Sequence, residues 1–429
     1  MTKLRLIVVD PGHFHAALAM KEMYPNVAET VHVFAPLGPD LVDYLTRIAR
    51  FNTRPDGPTR WGLEVHAGAD FLDRMTQEKP GDAAVFAGRN NEKIGMVARA
   101  VEAGLHVLSD KPMIIRRADL PALAGVLESA AKQRLVVQDM MGGRQEITRV
   151  LTRALHTDRE IFGEQIAGST SKPGVAMTSL HHLMKIVAGV PNPRPPWYFD
   201  VRQQGDALAD IGTHLVDRVH TTLFPDVAVD CGRDIAIDAV RRWPTLVSLA
   251  QFHEVTGEAR WPRYLEAALD GDSLAYQTNA HLDYRVRGIH VGLDMVWEWR
   301  EPPGGGDAHT ATWCGTRGRI ELRHGPAEGW RPQLYIVPLA DIGTALERRI
   351  VALAETHAGL GLERRGGEWQ IVIPDALRIG HDAQFRDLTQ GFLARIERHE
   401  ATTDAECANL LAKYYVTTAA EAAEGETGI

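Results

Sequence analysis

Residues 4–18, LRLIVVDPGHFHAAL, decide the fold class of this 429-residue chain. The run Leu4–Val9 is short, apolar and rich in β-branched residues, which predicts a buried strand. Asp10-Pro11-Gly12 then interrupts the run, and helical spacing follows from His15 to about Tyr24. A strand, a tight turn and a helix form the first half of a strand–helix–strand unit, from which parallel sheets are built.

The same alternation continues through the first 140 residues. Further strands are predicted at 31–35, 63–66, 83–87, 105–108 and 135–138, with helices at about 41–50, 92–103 and 118–132. Six strands that alternate with helices are typical of a doubly wound parallel sheet. The sequence therefore predicts an α/β fold with an N-terminal Rossmann-type, dinucleotide-binding domain over residues 1–143.

The rhythm changes after Gly142-Gly143. A helix (145–156), a strand near 164–168, a Pro-rich loop (191–196) and a helix (207–223) precede strands joined by turns over 230–337. The clearest strands are 281–286 and 291–299, with a hairpin tip at 302–306 and a helical tail over 383–424. We therefore predict a substrate-binding α+β domain over residues 144–429, with a large, mostly antiparallel sheet and C-terminal helices.

Composition excludes several classes of protein. The formal net charge is −9, which disfavours binding to a phosphate backbone, so no nucleic-acid partner is expected. Three cysteines without a C-x-x-C pair support neither a zinc cage nor a disulfide framework. No apolar run approaches 18 residues and no export signal is recognisable, so we expect a cytoplasmic protein without a membrane partner.

The first turn lies where dinucleotide-binding folds place their glycine-rich phosphate loop. Such a loop needs glycines for the tight turn, for close approach of the pyrophosphate and for packing of the helix on the strand. Only Gly12 is in place, and Asp10 replaces the first glycine. An ordinary strand–helix turn explains the pattern equally well. The second strand ends in Phe34-Ala35-Pro36-Leu37 without the usual acidic residue, so the pattern does not choose between NAD and NADP.

Asp110-Lys111-Pro112 follows the fifth predicted strand. The carboxyl ends of parallel strands line the ligand crevice of such sheets, and a lysine there can relay a proton. The alternative is that Pro112 only ends the strand and that Lys111 is solvated.

Residues 205–217, GDALADIGTHLVD, form the segment richest in chemistry-bearing side chains. Asp210 and His214 are four residues apart and share one face of a helix, which Asp217 continues. A carboxylate beside an imidazole suits acid/base chemistry. The same spacing also fits an ion pair on the helix face, or a metal site completed by His181, His182 or His220.

The order of these motifs resembles the Gfo/Idh/MocA family, the glucose–fructose oxidoreductase and inositol dehydrogenase group. Its E-K-P motif corresponds to Asp110-Lys111-Pro112, and its G-G-x-x-x-D-x-G-x-H-x-x-D motif to residues 205–217, with Asp206 for a glycine. Residues 83–91 occupy the cofactor-loop position, 101–108 match the A-L-E-A-G-K-H-V-L segment, and 315–322 match the G-T-x-G-x-L-x-L turn. The resemblance covers the whole chain and marks a divergent branch with an enlarged second domain.

The resemblance implies an NAD(P)-dependent oxidoreductase that transfers hydride from a hydroxyl of a sugar, glycoside or cyclitol, in carbohydrate metabolism. Lys111 and His214 would share proton transfer, and Asp210 would orient them, without a metal. The implied cofactor contacts are Asp10, Gly12, His13, Phe14, Asn90, Asn91, Asp110, Lys111 and Pro112. The implied substrate contacts are His181, His182, Trp197, Tyr198, Arg202 and Asp217, with the aromatic residues stacking on a sugar ring.

Three other functions remain open from the sequence. The first is an NAD-dependent glycoside hydrolase, as in the family's hydrolytic branches, which oxidises the sugar transiently and eliminates the aglycone. The others, which the residues support less well, are a metal-dependent lyase or isomerase and a non-enzymatic sensor. The resemblance also implies a homo-oligomer, either a dimer or a tetramer.

Overall fold

The computed structural model describes residues 3–187, 190–191 and 193–421, which form two compact units. Unit 1 comprises Met1–Gly143, Arg202–Gly205 and Gly380–Tyr414, and unit 2 comprises Arg144–Val201, Asp206–Ile379 and Tyr415–Ile429. Among the described residues, no helix has the length and apolar character that a membrane crossing requires.

Unit 1 contains the predicted parallel sheet. Its N-terminal segment has the elements β1 (Leu6–Val9), α1 (His15–Leu18), β2 (Thr30–Ala35), α2 (Pro39–Thr53), β3 (Gly62–Ala67), α3 (Phe71–Glu78), β4 (Ala83–Phe86), α4 (Lys93–Glu102), β5 (His106–Ser109), α5 (Leu120–Gln133) and β6 (Val137–Asp139). The strand order is β3-β2-β1-β4-β5-β6, and every pair is parallel. All six predicted strands are confirmed.

The unbroken apolar character of β1 follows from burial on both faces of the sheet. Leu6 and Val8 pack into one core cluster, and Ile7 and Val9 pack into a second one. A strand in the middle of a parallel sheet needs apolar side chains on both faces because helices cover both. The chain leaves β1 towards β2 on one side and reaches β4 on the other, which makes the carboxyl ends of β1 and β4 a topological switch point.

Helix α1 is much shorter than predicted. The carbonyl oxygen of Ala19 accepts a hydrogen bond from the Tyr24 hydroxyl group at 3.1 Å, and that of Met20 accepts one from the Trp61 indole nitrogen at 2.7 Å. These carbonyl groups would accept from backbone N–H groups in a longer helix. The side chains of Tyr24 and Trp61 therefore take over the hydrogen bonds that would extend α1.

Unit 2 is built on the large sheet. The elements from residue 147 onward are α6 (Ile147–His156), β7 (Gly168–Ser169), β8 (Lys172–Pro173), β9 (Val175–Met184), β10 (Ile186–Val187), β11 (Val190–Pro191), α7 (Val201–Gln204), α8 (Thr213–Leu223), α9 (Cys231–Asp234), β12 (Ile235–Ser248), α10 (Leu249–Thr256), β13 (Leu269–Asp270), β14 (Ser273–Val286), β15 (Ile289–Arg300), β16 (Ala308–Cys314), β17 (Gly318–His324), β18 (Gln333–Pro338), α11 (Gly343–Ala354), β19 (Gly361–Arg365), β20 (Glu368–Val372), α12 (His381–Glu397) and α13 (Asp404–Thr417). The main path of the sheet is β12-β14-β15-β9-β16-β17-β18-β20-β19, and β13 pairs with β14. Of the described pairs in it, β15 with β9 is parallel and the others are antiparallel, which confirms the predicted sheet.

Three local expectations fail or fall partly outside the described residues. The segment 302–306 joins β15 to β16, but these strands do not form a hairpin because β9 lies between them. The strand expected at 164–168 is reduced to an isolated bridge between Gln165 and Gly315 and the short β7. Residue 192 of the Pro-rich loop and residues 422–424 of the helical tail lie outside the described residues.

The structure assigns the C-terminal helices differently from the sequence. We expected them in the second domain, but Gly380–Tyr414 belongs to unit 1. Phe385 and Phe392 of α12 share a core cluster with Leu6, and Tyr414 of α13 lies in the cluster of Ile7. Apolar burial against the parallel sheet therefore fixes the place of this segment.

Candidate active site

The backbone N–H groups of the first turn of unit 1 donate hydrogen bonds to the protein's own carbonyl groups. Asp10 follows β1 with a φ of 46°, in the left-handed region, and burial raises the pKa of its carboxyl group. The Gly12 N–H donates to the Asp10 carbonyl oxygen at 2.9 Å, and the His13 N–H donates to the Ala87 carbonyl oxygen at 2.7 Å. Two N–H groups that could face a pyrophosphate are thus already used.

The close approach in this turn is made by another glycine. A Cβ atom on Gly88 would lie 2.2 Å from the Asp10 carbonyl oxygen, which no side chain tolerates. Gly88 therefore permits the contact between the carboxyl ends of β1 and β4, and Gly12 lies in the turn that follows β1.

Two histidines and an aspartate converge beside this turn. The Asp110 carboxylate lies 2.8 Å from His13 Nδ1 through Oδ2, and 2.8 Å from His15 Nδ1 through Oδ1. Burial alone would raise the pKa of Asp110, but the two imidazoles outweigh it and hold that pKa well below its usual value. Burial lowers the pKa of His15 to about 3. Asp110 is therefore a buried, ionised carboxylate.

A buried lysine that the sequence did not indicate holds the neighbouring loops. The side chain of Lys93, 0% exposed at the start of α4, donates to Asn90 Oδ1 and, at 3.1 Å each, to the carbonyl oxygens of Asp110 and Pro112. Burial lowers the pKa of Lys93 to about 8. Asn90 in turn donates to the carbonyl oxygen of Gln204 at 2.7 Å.

The structure brings all nine predicted cofactor contacts to the carboxyl edge of the parallel sheet. Lys111 is buried directly after β5, as expected for a strand-end lysine. The predicted contacts at this carboxyl edge are Asp10, Gly12, His13, Phe14, Asn90, Asn91, Asp110, Lys111 and Pro112. The Asp110 carboxylate is engaged by His13 and His15, so its side chain supports the loop structure rather than projecting into solvent.

In unit 2, Asp210 lies in a π-helical turn, Leu208–Gly212, that runs directly into α8. Such turns are rare and are frequent at functional sites. Asp206 Oδ1 accepts from the N–H groups of Leu208 at 2.9 Å and Ala209 at 3.1 Å, and Asp206 Oδ2 pairs with Arg242 at 2.8 Å. Asp206 therefore caps this turn.

Asp210 is held by a tyrosine. The Tyr198 hydroxyl group donates to Asp210 Oδ2 at 2.9 Å, and the Tyr198 side chain is buried beneath the Arg194 guanidinium group, 4.5 Å from the ring centroid. Burial raises the pKa of Tyr198 well above its usual value, so the phenol keeps its proton and remains a donor. His214 is half-buried in the first turn of α8.

A second polar cluster lies on the large sheet. His309 of β16 is directly opposite Ser179 of β9, and His181 lies two residues further along β9 on the same face. Ser179 Oγ is 2.8 Å from His309 Nδ1 and 2.8 Å from His181 Nε2. Asp307 Oδ2 is 2.8 Å from His181 Nδ1 and pairs with the Lys185 ammonium group.

The sequence did not identify Asp307, His309 or Arg194. Asp307 and His309 alternate after the glycine-rich segment 304–306, and a D-x-H pattern at the start of a strand places both side chains on one face. Their contact with His181 could not be predicted, because it depends on the pairing of β16 with β9.

Four further predicted substrate contacts, Asp217, Arg202, Trp197 and His182, differ in their burial and in their partners. The Asp217 carboxylate, 3% exposed, is bound by Arg144 at 3.1 Å through Nε and by Arg149, so it anchors α6 to α8. Arg202 is exposed and belongs to unit 1. Trp197 and His182 are almost fully buried.

The chain thus combines a doubly wound parallel sheet, with Lys111 after β5, and a second unit with a largely antiparallel sheet, in which one helical segment carries Asp210 and His214. Residues 151–424 match the family model described as "Putative oxidoreductase C terminal domain". The chain belongs to this family. The comparison with curated proteins found no match.

Solved structures share the architecture over the full length. A protein from Parabacteroides merdae described as a "putative oxidoreductase" is 36% identical, with a TM-score of 0.95 and coverage of 99% of this chain and 98% of that one. KijD10, a 3-ketoreductase from Actinomadura kijaniata in complex with TDP-benzene and NADP, is 15% identical, with a TM-score of 0.56 and coverage of 97% and 96%. GenD2 from gentamicin A biosynthesis, in complex with NAD, is 15% identical, with a TM-score of 0.59 and coverage of 99% and 95%.

Proposed function

We propose that the chain is a Gfo/Idh/MocA-type, NAD(P)-dependent oxidoreductase that acts on a hydroxyl group of a sugar, glycoside or cyclitol. The observation that carries this proposal is the Asp210 carboxylate, held at 2.9 Å by the protonated Tyr198 on the helical segment that also bears His214. An oriented carboxylate and an imidazole are the groups that proton transfer from an alcohol requires. The 3-ketoreductase KijD10 and the NAD complex of GenD2 support the same class of chemistry.

The frame of unit 1 fits a nicotinamide dinucleotide, although its first turn departs from the usual one. The strand order and the switch point after β1 and β4 are those of dinucleotide-binding sheets. The Gly12 N–H is used within the turn and the His13 N–H donates to Ala87 after β4, so a pyrophosphate would rely on other groups of this edge. Asn90 is itself engaged by Lys93 and Gln204, so Asn91 and Lys111 are the polar groups that we propose for this role.

We favour NAD over NADP because no arginine directly follows β2 to neutralise a ribose phosphate. When bound, the nicotinamide ring accepts the hydride. The chain's residues handle the proton: Lys111 and His214 accept it, and Asp210, itself held by Tyr198, orients the acceptor. That Lys111 and His214 act on the same hydroxyl group is an inference from the family resemblance.

Thermal unfolding in the presence of NAD, NADP and a panel of sugars, glycosides and cyclitols tests the proposal, because a ligand of the native state raises the melting temperature. We expect a rise with one dinucleotide and a further rise when a substrate is added. No rise with either dinucleotide at millimolar concentration would contradict it. Release of a free aglycone without reduced nicotinamide would instead identify the redox-neutral glycoside hydrolase.

A further inference from the structure

The sequence led us to expect a metal-free active site at Asp210 and His214, but unit 1 gathers a set of metal-ligating side chains elsewhere. His13 and His15 follow β1, and Asp110 follows β5. The ligand atoms of these three residues all lie within 4.8 Å of one another. We propose that His13, His15 and Asp110 bind one divalent transition-metal ion at the carboxyl edge of the parallel sheet.

The geometry requires little rearrangement. Each imidazole Nδ1 atom lies 2.8 Å from a different oxygen of the same carboxylate. Ligand atoms at adjacent positions around an ion with bonds of about 2.1 Å are separated by about 3.0 Å. When the imidazole protons move from Nδ1 to Nε2, the two Nδ1 atoms and the carboxylate oxygens can therefore turn from hydrogen-bond partners into ligands.

The donor set is one that metals use in proteins. Two histidines and one carboxylate leave open positions around a divalent ion such as Fe²⁺ or Mn²⁺. Asp110 and His15 are buried, whereas the His13 side chain is 17% exposed and provides an open edge. His381 of α12 supplies a further imidazole, with its ring centroid 5.5 Å from that of His15.

The charge around the carboxylate and its burial distinguish this cluster from two other His and carboxylate clusters. Among the described residues, the Asp110 carboxylate is paired with the two imidazoles and with no ammonium group, since Lys93 contacts only its backbone oxygen. In the cluster His181, Asp307 and His309, the Lys185 ammonium group already occupies the carboxylate. In the cluster His32, Glu64 and His66, the Glu64 side chain is 62% exposed.

Cobalt provides a direct test, because Co²⁺ bound by imidazole and carboxylate groups absorbs visible light. We expect the purified, metal-stripped chain to bind one equivalent of Co²⁺ and to develop this absorption. His15→Ala and Asp110→Asn should weaken the binding by about 100-fold or more. His309→Ala is the matched control, since it removes a histidine from the cluster that Lys185 neutralises, and it should leave binding unchanged.

Far-UV circular dichroism checks that each variant is folded. If His15→Ala does not fold, His13→Ala replaces it, because the His13 ring is partly exposed and its loss costs less packing. Absence of Co²⁺ binding by the wild-type chain, or equal binding by the wild type and the folded His13 and Asp110 variants, would overturn the proposal. Loss of binding in His309→Ala alone would place the ion in unit 2 and would also overturn it. The proposal does not rest on the proposed oxidoreductase activity.

Discussion

The hydroxyl group of Tyr198 lies 2.9 Å from Oδ2 of Asp210, and the tyrosine is buried to 3% exposure. This hydrogen bond connects the turn Pro196–Phe199 to the π-helical turn that begins α8. Because burial keeps the phenol of Tyr198 protonated, the contact has one direction, from the phenol to the carboxylate. Tyr198 therefore holds the Asp210 carboxylate, and its ring is buried rather than exposed as a stacking surface.

Tyr198→Phe should lower kcat by about 10- to 100-fold, since a hydrogen bond to a charged group contributes about 1.5–3 kcal/mol. The change removes one oxygen atom and preserves the ring, so packing should be retained. Steady-state kinetics on a substrate of the wild type measures the effect. Tyr284→Phe, at a buried tyrosine of β14 in the same unit, is the control and should keep full kcat. Equal activity of wild type and Tyr198→Phe would show that Asp210 needs no such orientation.

Lys111→Met and His214→Ala should each reduce kcat by a factor of about 10²–10⁴, the usual contribution of a general acid or base. The double variant should lose little more than the worse single variant, because residues that act in one step are not additive. Calorimetry should find dinucleotide affinity nearly unchanged in His214→Ala. Lys132→Met, at an exposed lysine, serves as the control. Full activity in both single variants would place the chemistry on other residues.

Lys93→Met should lower the free energy of unfolding of unit 1 by about 2–4 kcal/mol. The buried ammonium group serves three acceptors, and its removal leaves the oxygens of Asn90, Asp110 and Pro112 without this donor. Denaturant unfolding measures the change, with Lys132→Met again as the control. A loss below 0.5 kcal/mol, the range of a surface substitution, would show that these loops hold together without Lys93.

The stability of unit 2 should fall as the pH drops below about 6.5. Burial holds the pKa of His309 well below its usual value. As the pH falls through 6.5, the unfolded chain binds a proton at this residue before the folded chain does. Above pH 6.5 the neutral His309 therefore makes its full contribution to the stability of the folded chain. This contribution is lost as the pH falls towards the lower pKa that His309 has in the folded chain.

His309→Asn, which can keep a contact to Ser179, isolates this effect. The slope of unfolding free energy against pH between 4.5 and 6 should be shallower than in the wild type, by up to about 1.4 kcal/mol per pH unit. Denaturant unfolding at several pH values measures both slopes. Identical slopes would mean that His309 takes up its proton equally in the folded and unfolded chains.

The sequence predicted the parts of the fold that depend on local pattern. The strands of unit 1 are short apolar runs such as Leu6–Val9, bounded by turn residues, and their burial on both faces is visible in composition alone. Lys111 was placed correctly at a strand end because Pro112 follows it. Asp210 and His214 were placed on one helical segment because their spacing matches the helical period.

The parts that were missed depend on pairing over long distances. His181 meets Asp307 only because β9 inserts between β15 and β16, which no local pattern reveals. His15 and Asp110 are 95 residues apart and meet beyond the ends of β1 and β5, which β4 separates in the sheet. The assignment of α12 to unit 1 depends on whether Phe385 packs against the parallel sheet or elsewhere, a choice that its amphipathic pattern leaves open.

Hydride transfer between a carbohydrate hydroxyl group and a nicotinamide is the activity that we propose for this chain. The most direct measurement is the absorbance of reduced nicotinamide while the purified protein is incubated with NAD or NADP and a panel of sugars, glycosides and cyclitols. We predict an increase that requires both the dinucleotide and one class of substrate, and that Lys111→Met reduces by at least about 100-fold. No increase with any substrate and either dinucleotide, from protein shown to be folded, would contradict the claim.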